Sequence, residues 1–169
     1  MLKELIVKIK PGKKHPINKT HLYSTNVQVN DHNAMYQAAH TQKAKIKYID
    51  NVFGDMSDDL KNKVKGKIPD DPTKTMGLYN SVSIAVGAIY DLKTNVSVTD
   101  GMTNGAECVI EKIDDRVKDS TRPSITWVSF PEASIGQNLH NEFAHLFTIN
   151  VDRTWKPILE ITKQFKISK

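Results

Sequence analysis

Six histidines and one cysteine are the side chains of this 169-residue chain best suited to hold a metal ion or to act as a nucleophile. Their spacing does not favour a metal site. His32 and His40 are eight residues apart, too far to share one ion directly, and the segment with His140 and His145 lacks the H-E-x-x-H pattern. Cys108 lies in an apolar run that predicts a strand, where a free cysteine usually packs as a small core residue. A single cysteine also excludes an internal disulfide and a multi-cysteine zinc site.

Two pairs of adjacent carboxylates, Asp70-Asp71 and Asp114-Asp115, are the remaining candidates for acid–base chemistry. Catalytic carboxylates need burial or a like-charged neighbour to separate their pKa values. Both pairs fall in polar segments, so we interpret them as solvated turn residues. The chain also lacks the G-x-x-x-x-G-K-[ST] loop that surrounds a nucleotide phosphate. From its residues alone, the sequence does not indicate an enzyme.

Positive charge is concentrated at the two ends of the chain. The net charge is +5, with +5 in residues 1–20, −4 in residues 21–152 and +4 in residues 153–169. Basic ends suit nucleic-acid phosphates, because each neutralised phosphate releases a condensed counterion. The alternative is that lysine-rich ends only aid solubility. The hydrophobic content of 38% and the charged content of 25% are ordinary for a globular protein.

The elements that must position these residues change in type along the chain. In roughly the first 75 residues, the patterns predict a helix over 26–40, a strand over 44–50 and a helix over 57–64. The first helix has Asn26 or Asn30 as its candidate N-cap. The strand is indicated by strict alternation of apolar and charged residues.

The second half is dominated by short runs rich in Val, Ile, Phe, Tyr and Trp. Asn104-Gly105 is the strongest turn signal in the chain, and it predicts a tight hairpin. Short strands separated by turn residues favour a small β-barrel or sandwich, so the predicted fold class is α+β. The predicted strands are Val82–Lys93, Cys108–Ile113, Ser124–Phe130, Leu146–Ile149 and Ile158–Ile167.

Four segments also resemble a known family in order and spacing. HLYSTNVQVNDHN (21–33) resembles H-L-[FY]-x-T-N-x-x-V-x-x-x-N, and ITWVSFPEASIG (125–136) and WKPILEITKQFKI (155–167) resemble two later strands. In these features the chain is similar to Pif-type DNA helicases, which also occur in helitron-type mobile elements. In the second segment, over 77–110, the matching positions are Gly87, Ala88, Asn95, Asp100, Gly101, Asn104, Gly105 and Ala106.

The resemblance implies a partial RecA-like α/β segment followed by a small Src-homology-3-like β-barrel. Residues 1–75 would be the opening strand and helix of the second RecA-like domain. Residues 76–169 would be the inserted 2B-like barrel, with a strand returning toward the RecA core. The family unwinds DNA in the 5′-to-3′ direction with ATP and Mg²⁺. The resemblance therefore implies roles in DNA repair, recombination and telomere maintenance.

The chain lacks the Walker A, Walker B and arginine-finger motifs of that family, and phosphoryl transfer depends on these groups. We therefore expect a DNA-binding accessory region that binds no cofactor and does not hydrolyse ATP alone, and that is a fragment or decayed copy of a helicase. A non-enzymatic interaction module or an inactive transposon-derived relic is the alternative. The expected partners are single-stranded DNA and the remainder of the motor, with no membrane. The expected location is the nucleus, or the cytoplasm for a non-functional fragment.

The resemblance also implies which residues contact DNA. Ser24, Thr25 and Asn26 would hold a phosphate at the strand-to-helix corner. Helix capping is the alternative for these residues. Several lysines offer phosphate contacts without sequence readout, namely Lys13, Lys14, Lys43, Lys45, Lys47, Lys61, Lys63 and Lys65. Of these, Lys13, Lys14, Lys45 and Lys47 are the predicted DNA contacts.

Other motif residues have a structural interpretation. Gly101, Asn104 and Gly105 are predicted turn residues that set the hairpin register. Trp127 and Trp155 could stack on bases. Both lie in strand patterns, which favours core packing.

Overall fold

The computed structural model of the protein describes residues 21–47, 50–114, 125–160 and 163–166. It contains both helices and antiparallel sheets, so the α+β prediction is confirmed. The chain divides after Ala39 into two compact units, which are described separately. The predicted phosphate contacts Lys13 and Lys14 lie outside the described residues, as does Asp115 of the predicted pair Asp114-Asp115.

Helix α1 (Asn26–Ala38) is the main element of the first unit. Its N-cap is Thr25, whose extended backbone (φ −135°, ψ 149°) lets the side chain accept a hydrogen bond from the Gln28 N–H. The predicted caps Asn26 and Asn30 are therefore wrong, because both residues already lie inside the helix. None of its 13 residues is buried.

The second unit contains the remaining helices and all six strands of the described chain. Helix α2 begins where the sequence predicts, because the Ser57 hydroxyl accepts from the Leu60 N–H and acids occupy the first turn. No helix in the described ranges is long and apolar enough to cross a bilayer. In chain order the elements are β1 (Lys43–Lys47), α2 (Asp58–Lys65), β2 (Ser81–Ala85), β3 (Ile89–Asp91), β4 (Glu107–Asp114), β5 (Ile125–Ser129), α3 (Gln137–Glu142) and β6 (Lys156–Ile158).

These strands form two open antiparallel sheets. Strand β1 pairs with β2, and the other four strands follow the order β3-β4-β5-β6. The predicted β-barrel is therefore wrong as a closed structure. Strands β3 and β6 have only three residues each, and within the described residues neither pairs with the other. Sheet closure needs pairing between the two end strands.

Three of the predicted strands have different bounds or are absent. The run 82–93 divides into β2 and β3 at Gly87, which has φ 81° and donates its N–H to the Ile110 carbonyl at 2.7 Å. Residues 146–149 form no strand, because the chain turns here and the Val151 N–H donates to the Thr148 carbonyl at 3.1 Å. The last predicted strand, 158–167, shares only Ile158 with the shorter strand β6 (Lys156–Ile158).

Strand β5 is buried on both of its faces, and this places the core. Val128 packs with Ile84, Cys108 and Ile110 in one cluster. Trp127 and its neighbours Ile125 and Val151 form a second cluster. Because successive strand residues point to opposite faces, one strand supplies both clusters.

Candidate nucleic-acid interface

Strand β1 presents a row of lysines on its solvent face. Lys43, Lys45 and Lys47 are exposed, whereas Ala44 and Ile46 between them are half-buried and pack against the Ile84 cluster. Alternate residues of a strand lie about 6.6 Å apart on one face, because each residue adds about 3.3 Å. We call these three residues the lysine face. Their alternation along the strand places all three lysine side chains on one face.

Strand β2, which pairs with β1, places neutral polar side chains beside two of these lysines. Ser83 is paired with Lys45 and Ser81 is paired with Lys47 in the antiparallel register. Within the described ranges, no acidic side chain forms an ion pair with Lys45 or Lys47. The predicted contacts Lys45 and Lys47 therefore lie together on a surface that favours an anion.

The predicted contacts at the start of α1 lie in the first unit. The Thr25 hydroxyl caps the helix, accepting from the Gln28 N–H at 3.4 Å and donating to Gln28 Oε1 at 3.3 Å. The Ser24 hydroxyl donates to the same oxygen at 3.1 Å. Asn26 is the first residue of the helix. The capping interpretation therefore has direct geometric support for Thr25, and a phosphate would have to compete with Gln28 for the hydroxyls.

His21 and Tyr23, which precede α1, contact the ring of His32 within the helix. Tyr23 Oη lies 2.9 Å from His32 Nδ1, and the His21 and His32 rings lie 4.3 Å apart between centroids. Sequence reasoning missed this group. Its only signal was the alternation of His21 and Tyr23 before the helix, since His32 is placed beside them by the turn at residue 24.

The two tryptophans are core residues in the described structure. Trp127 is 0% exposed, and its ring lies 4.7 Å from that of Phe147. Trp155 is partly buried and packs against the same cluster. Base stacking by Trp127 is therefore excluded in the folded protein, and core packing is confirmed. Its indole Nε1 is buried without a hydrogen-bond partner among the described residues.

The predicted turn residues lie in a long connection between β3 and β4. Asp91 pairs with Glu107, so residues 92–106 form the loop, and Asn104-Gly105 is not a tight hairpin between two strands. The predicted turn is present within the loop, because the Ala106 N–H donates to the Thr103 carbonyl at 3.0 Å. Gly101 and Gly105 have φ 74° and 87°, a backbone region that favours glycine. The Asn104 N–H donates to Asn95 Oδ1 at 2.8 Å, which holds the loop closed.

Asp100 links this loop to α3. It is 6% exposed, and its two carboxylate oxygens accept the Asn138 N–H at 3.0 Å and the Leu139 N–H at 2.9 Å. Its carbonyl accepts the Gly136 N–H at 2.8 Å. Sequence reasoning gave this residue no role, although it is one of the positions that match the helicase family.

A buried lysine completes the same region. Lys156 is 4% exposed, and its Nζ donates to Gln137 Oε1 at 3.1 Å. Burial lowers the pKa of Lys156, and the nearby negative charge of Asp100 opposes that shift. Gly136 has φ 74°, and a Cβ there would lie 3.0 Å from Lys156 Cγ. We call Asp100, Gly136, Gln137 and Lys156 the Asp100 node.

Cys108 is expected to be an inert thiol whose titration weakens the fold at high pH. Burial raises the pKa of the Cys108 thiol from 9.0 to about 11, assisted by the negative charges of Asp91 and Glu107. The unfolded thiol therefore loses its proton before the folded one. The free energy of unfolding should fall as pH rises through the window from 9.0 to about 11.

Urea unfolding of the wild type and of Cys108→Ala over this pH range measures that effect. Lysines titrate in the same range in both proteins, so the comparison isolates the thiol. The alanine variant should show the shallower decline. Equal pH slopes for the two proteins would contradict the prediction.

Comparison of the chain with protein-family models, with curated proteins and with solved structures finds no match in any of the three. The part of the chain that the structure describes contains no group of three or more side chains suited to hold a metal ion. What the fold and the site define is an α+β protein with a basic strand face.

Proposed function

We propose that this chain is a DNA-binding accessory region of a Pif-type 5′-to-3′ DNA helicase and that it binds the phosphates of single-stranded DNA. The observation that carries the proposal is the lysine face. It offers several positive charges on one face of a paired strand, without acidic partners for Lys45 and Lys47 in the described residues.

Such a face binds without reading sequence. Lysine ammonium groups contact phosphate oxygens and release condensed counterions, which gives affinity that falls with salt. The neutral Ser81 and Ser83 beside the lysines add no repulsion toward a polyanion. In this proposal, Ser24, Thr25 and Asn26 offer a separate phosphate contact in the first unit, where the start of a 13-residue helix favours negative charge.

Some of the residues in the segments that match the family contact each other in the structure, and this supports the proposal. Asp100 and Gly136 come from different matching segments, yet they are hydrogen-bonded to each other. Gly101 and Gly136 both have φ 74°. In this proposal, residues 1–75 correspond to part of the second RecA-like domain. Residues 76–169 correspond to the Src-homology-3-like inserted domain in an open form, and ATP hydrolysis belongs to the rest of the motor.

The test is a salt titration of single-stranded DNA binding by the full chain. Fluorescence anisotropy with a labelled oligothymidine, at a series of salt concentrations, gives the slope of log affinity against log salt. Replacing both lysines in Lys45→Gln/Lys47→Gln should make that slope shallower by about 1.4, because each phosphate contact with single strands contributes about 0.7.

Lys61→Gln/Lys63→Gln is the matched control, since it removes the same charge from α2, where Lys61 lies 3.6 Å from Asp58. The control should keep the wild-type slope. If the salt slope becomes shallower by the same amount in both double variants, binding depends only on net charge and not on the lysine face. Absence of binding by the wild type at low salt would favour the inactive relic or a protein-interaction module.

A further inference from the structure

Arg153 lies over the ring of Phe147, which packs at a tilted angle against Trp127 in the core. Its Cζ is 5.4 Å from the centroid of the Phe147 ring. Phe147 contacts Trp127, with ring centroids 4.7 Å apart, and Trp127 is 0% exposed. Arg153 itself is exposed, so the guanidinium is the outermost member of this group and Trp127 is its buried end.

The backbone around Arg153 is held by a compact turn. Asp152 Oδ1 accepts the Thr154 N–H at 2.8 Å and the Thr154 hydroxyl at 2.7 Å. These hydrogen bonds lower the pKa of Asp152, so its carboxylate is ionised and bound to Thr154. Within the described ranges, no acidic side chain forms an ion pair with Arg153. The turn therefore holds the backbone on which Arg153 lies, and the guanidinium over Phe147 has no carboxylate partner among the described residues.

Phe147 is supported by a second ring. The His140 ring lies 4.6 Å from that of Phe147, between centroids. His140 Nδ1 lies 3.2 Å from the Trp155 carbonyl. Because a carbonyl oxygen only accepts, Nδ1 carries the proton of this hydrogen bond. On the same loop, Ile149 is 99% exposed and adds apolar surface to the region.

We propose that Arg153, supported by Phe147, is a stacking platform for an unpaired nucleobase. The inference rests on the proposed function, and it adds a base contact to the phosphate contacts of the lysine face. A guanidinium is planar and weakly hydrated, so it can stack on an aromatic ring with one face and on a base with the other. Base stacking tolerates any sequence, because every base has a flat face.

The surroundings favour a base over a phosphate or a carboxylate as the ligand. An acidic group binds along the N–H edge of a guanidinium and gains nothing from a ring beneath it. Phe147 instead lies beneath one face of the exposed guanidinium, and the outer face suits the flat face of a base. A purely ionic contact is one outcome of the test.

The experiment compares Arg153→Lys and Arg153→Gln on two oligonucleotides of equal length, an oligothymidine and an abasic strand. Lysine keeps the charge and removes the plane. On oligothymidine, both variants should bind at least about five-fold more weakly than the wild type, the effect of about 1 kcal/mol of stacking. On the abasic strand, Arg153→Lys should bind like the wild type, because no base is present to stack.

Other results overturn the inference. If Arg153→Lys binds oligothymidine like the wild type, Arg153 contributes charge alone or makes no contact. If Lys45→Gln/Lys47→Gln still gives the expected shallower salt slope in the same assay, the proposed function stands and only the stacking platform is overturned. A wild-type protein that binds neither strand at low salt would overturn both proposals. Near-UV circular dichroism checks that the variants keep the packing around Phe147.

Discussion

Replacing Trp127 with alanine is expected to lower the free energy of unfolding by about 3–5 kcal/mol, the range for removing a large buried aromatic side chain. Trp127 is 0% exposed and lies on β5, the strand that supplies both core clusters. Its loss removes the ring beneath Phe147 as well. Small domains are stable by only about 5–15 kcal/mol, so the change is a large share of the total.

Urea unfolding followed by far-UV circular dichroism measures this loss, and two variants control it. Trp127→Phe keeps an aromatic ring and removes the indole N–H that is buried without a partner in the described structure, so it should be much milder than alanine. Trp155→Ala removes a half-buried ring and should cost less than Trp127→Ala. If Trp127→Ala costs less than about 1 kcal/mol, the ring does not support the core as described.

Replacing Asp100 with alanine is expected to cost about 2–4 kcal/mol, because two backbone N–H groups lose their acceptor at a buried site. These donors belong to Asn138 and Leu139 at the start of α3. Lys156, also buried, would lose its nearest opposing charge. The loop over 92–106 and helix α3, whose first turn Asp100 caps, should both become less stable.

A double-mutant cycle with Lys156→Met separates the two causes. If the unpaired lysine contributes, Asp100→Ala should cost less in the Lys156→Met background, by more than the roughly 0.5 kcal/mol of ordinary non-additivity. Asp100→Asn keeps one acceptor oxygen and should lie between the wild type and alanine. Additive single effects would show that Asp100 acts only as an acceptor for α3.

The strength of local patterns explains which elements could be predicted. Strand β1 alternates charged and apolar residues, and α2 has Ser57 at its cap with acids in the first turn, so both were predicted correctly. Residues 146–149 have strand composition, yet they form a turn after a 3-10 helix. Apolar composition alone does not distinguish a strand from a turn that packs against the core.

The alternation of lysines along β1 was readable from the sequence, because side-chain direction in a strand depends only on residue parity. The absence of acidic partners for Lys45 and Lys47 among the described residues depends on the folded surroundings. The sequence was therefore enough to name the lysines as candidates. It could not show that Lys45 and Lys47 pair with Ser83 and Ser81 on the neighbouring strand.

The sequence by itself determined the α+β class, the basic strand and the cap of α2, since each depends on residues within a few positions of one another. Only the tertiary structure decided that Trp127 is core, that Asp100 caps α3, and that Arg153 lies over Phe147. Burial and partner choice join residues that are far apart in the sequence, such as Asp100 and Leu139, which are 39 positions apart. Such pairings depend on how the loops bring the strands together, and no local pattern encodes them.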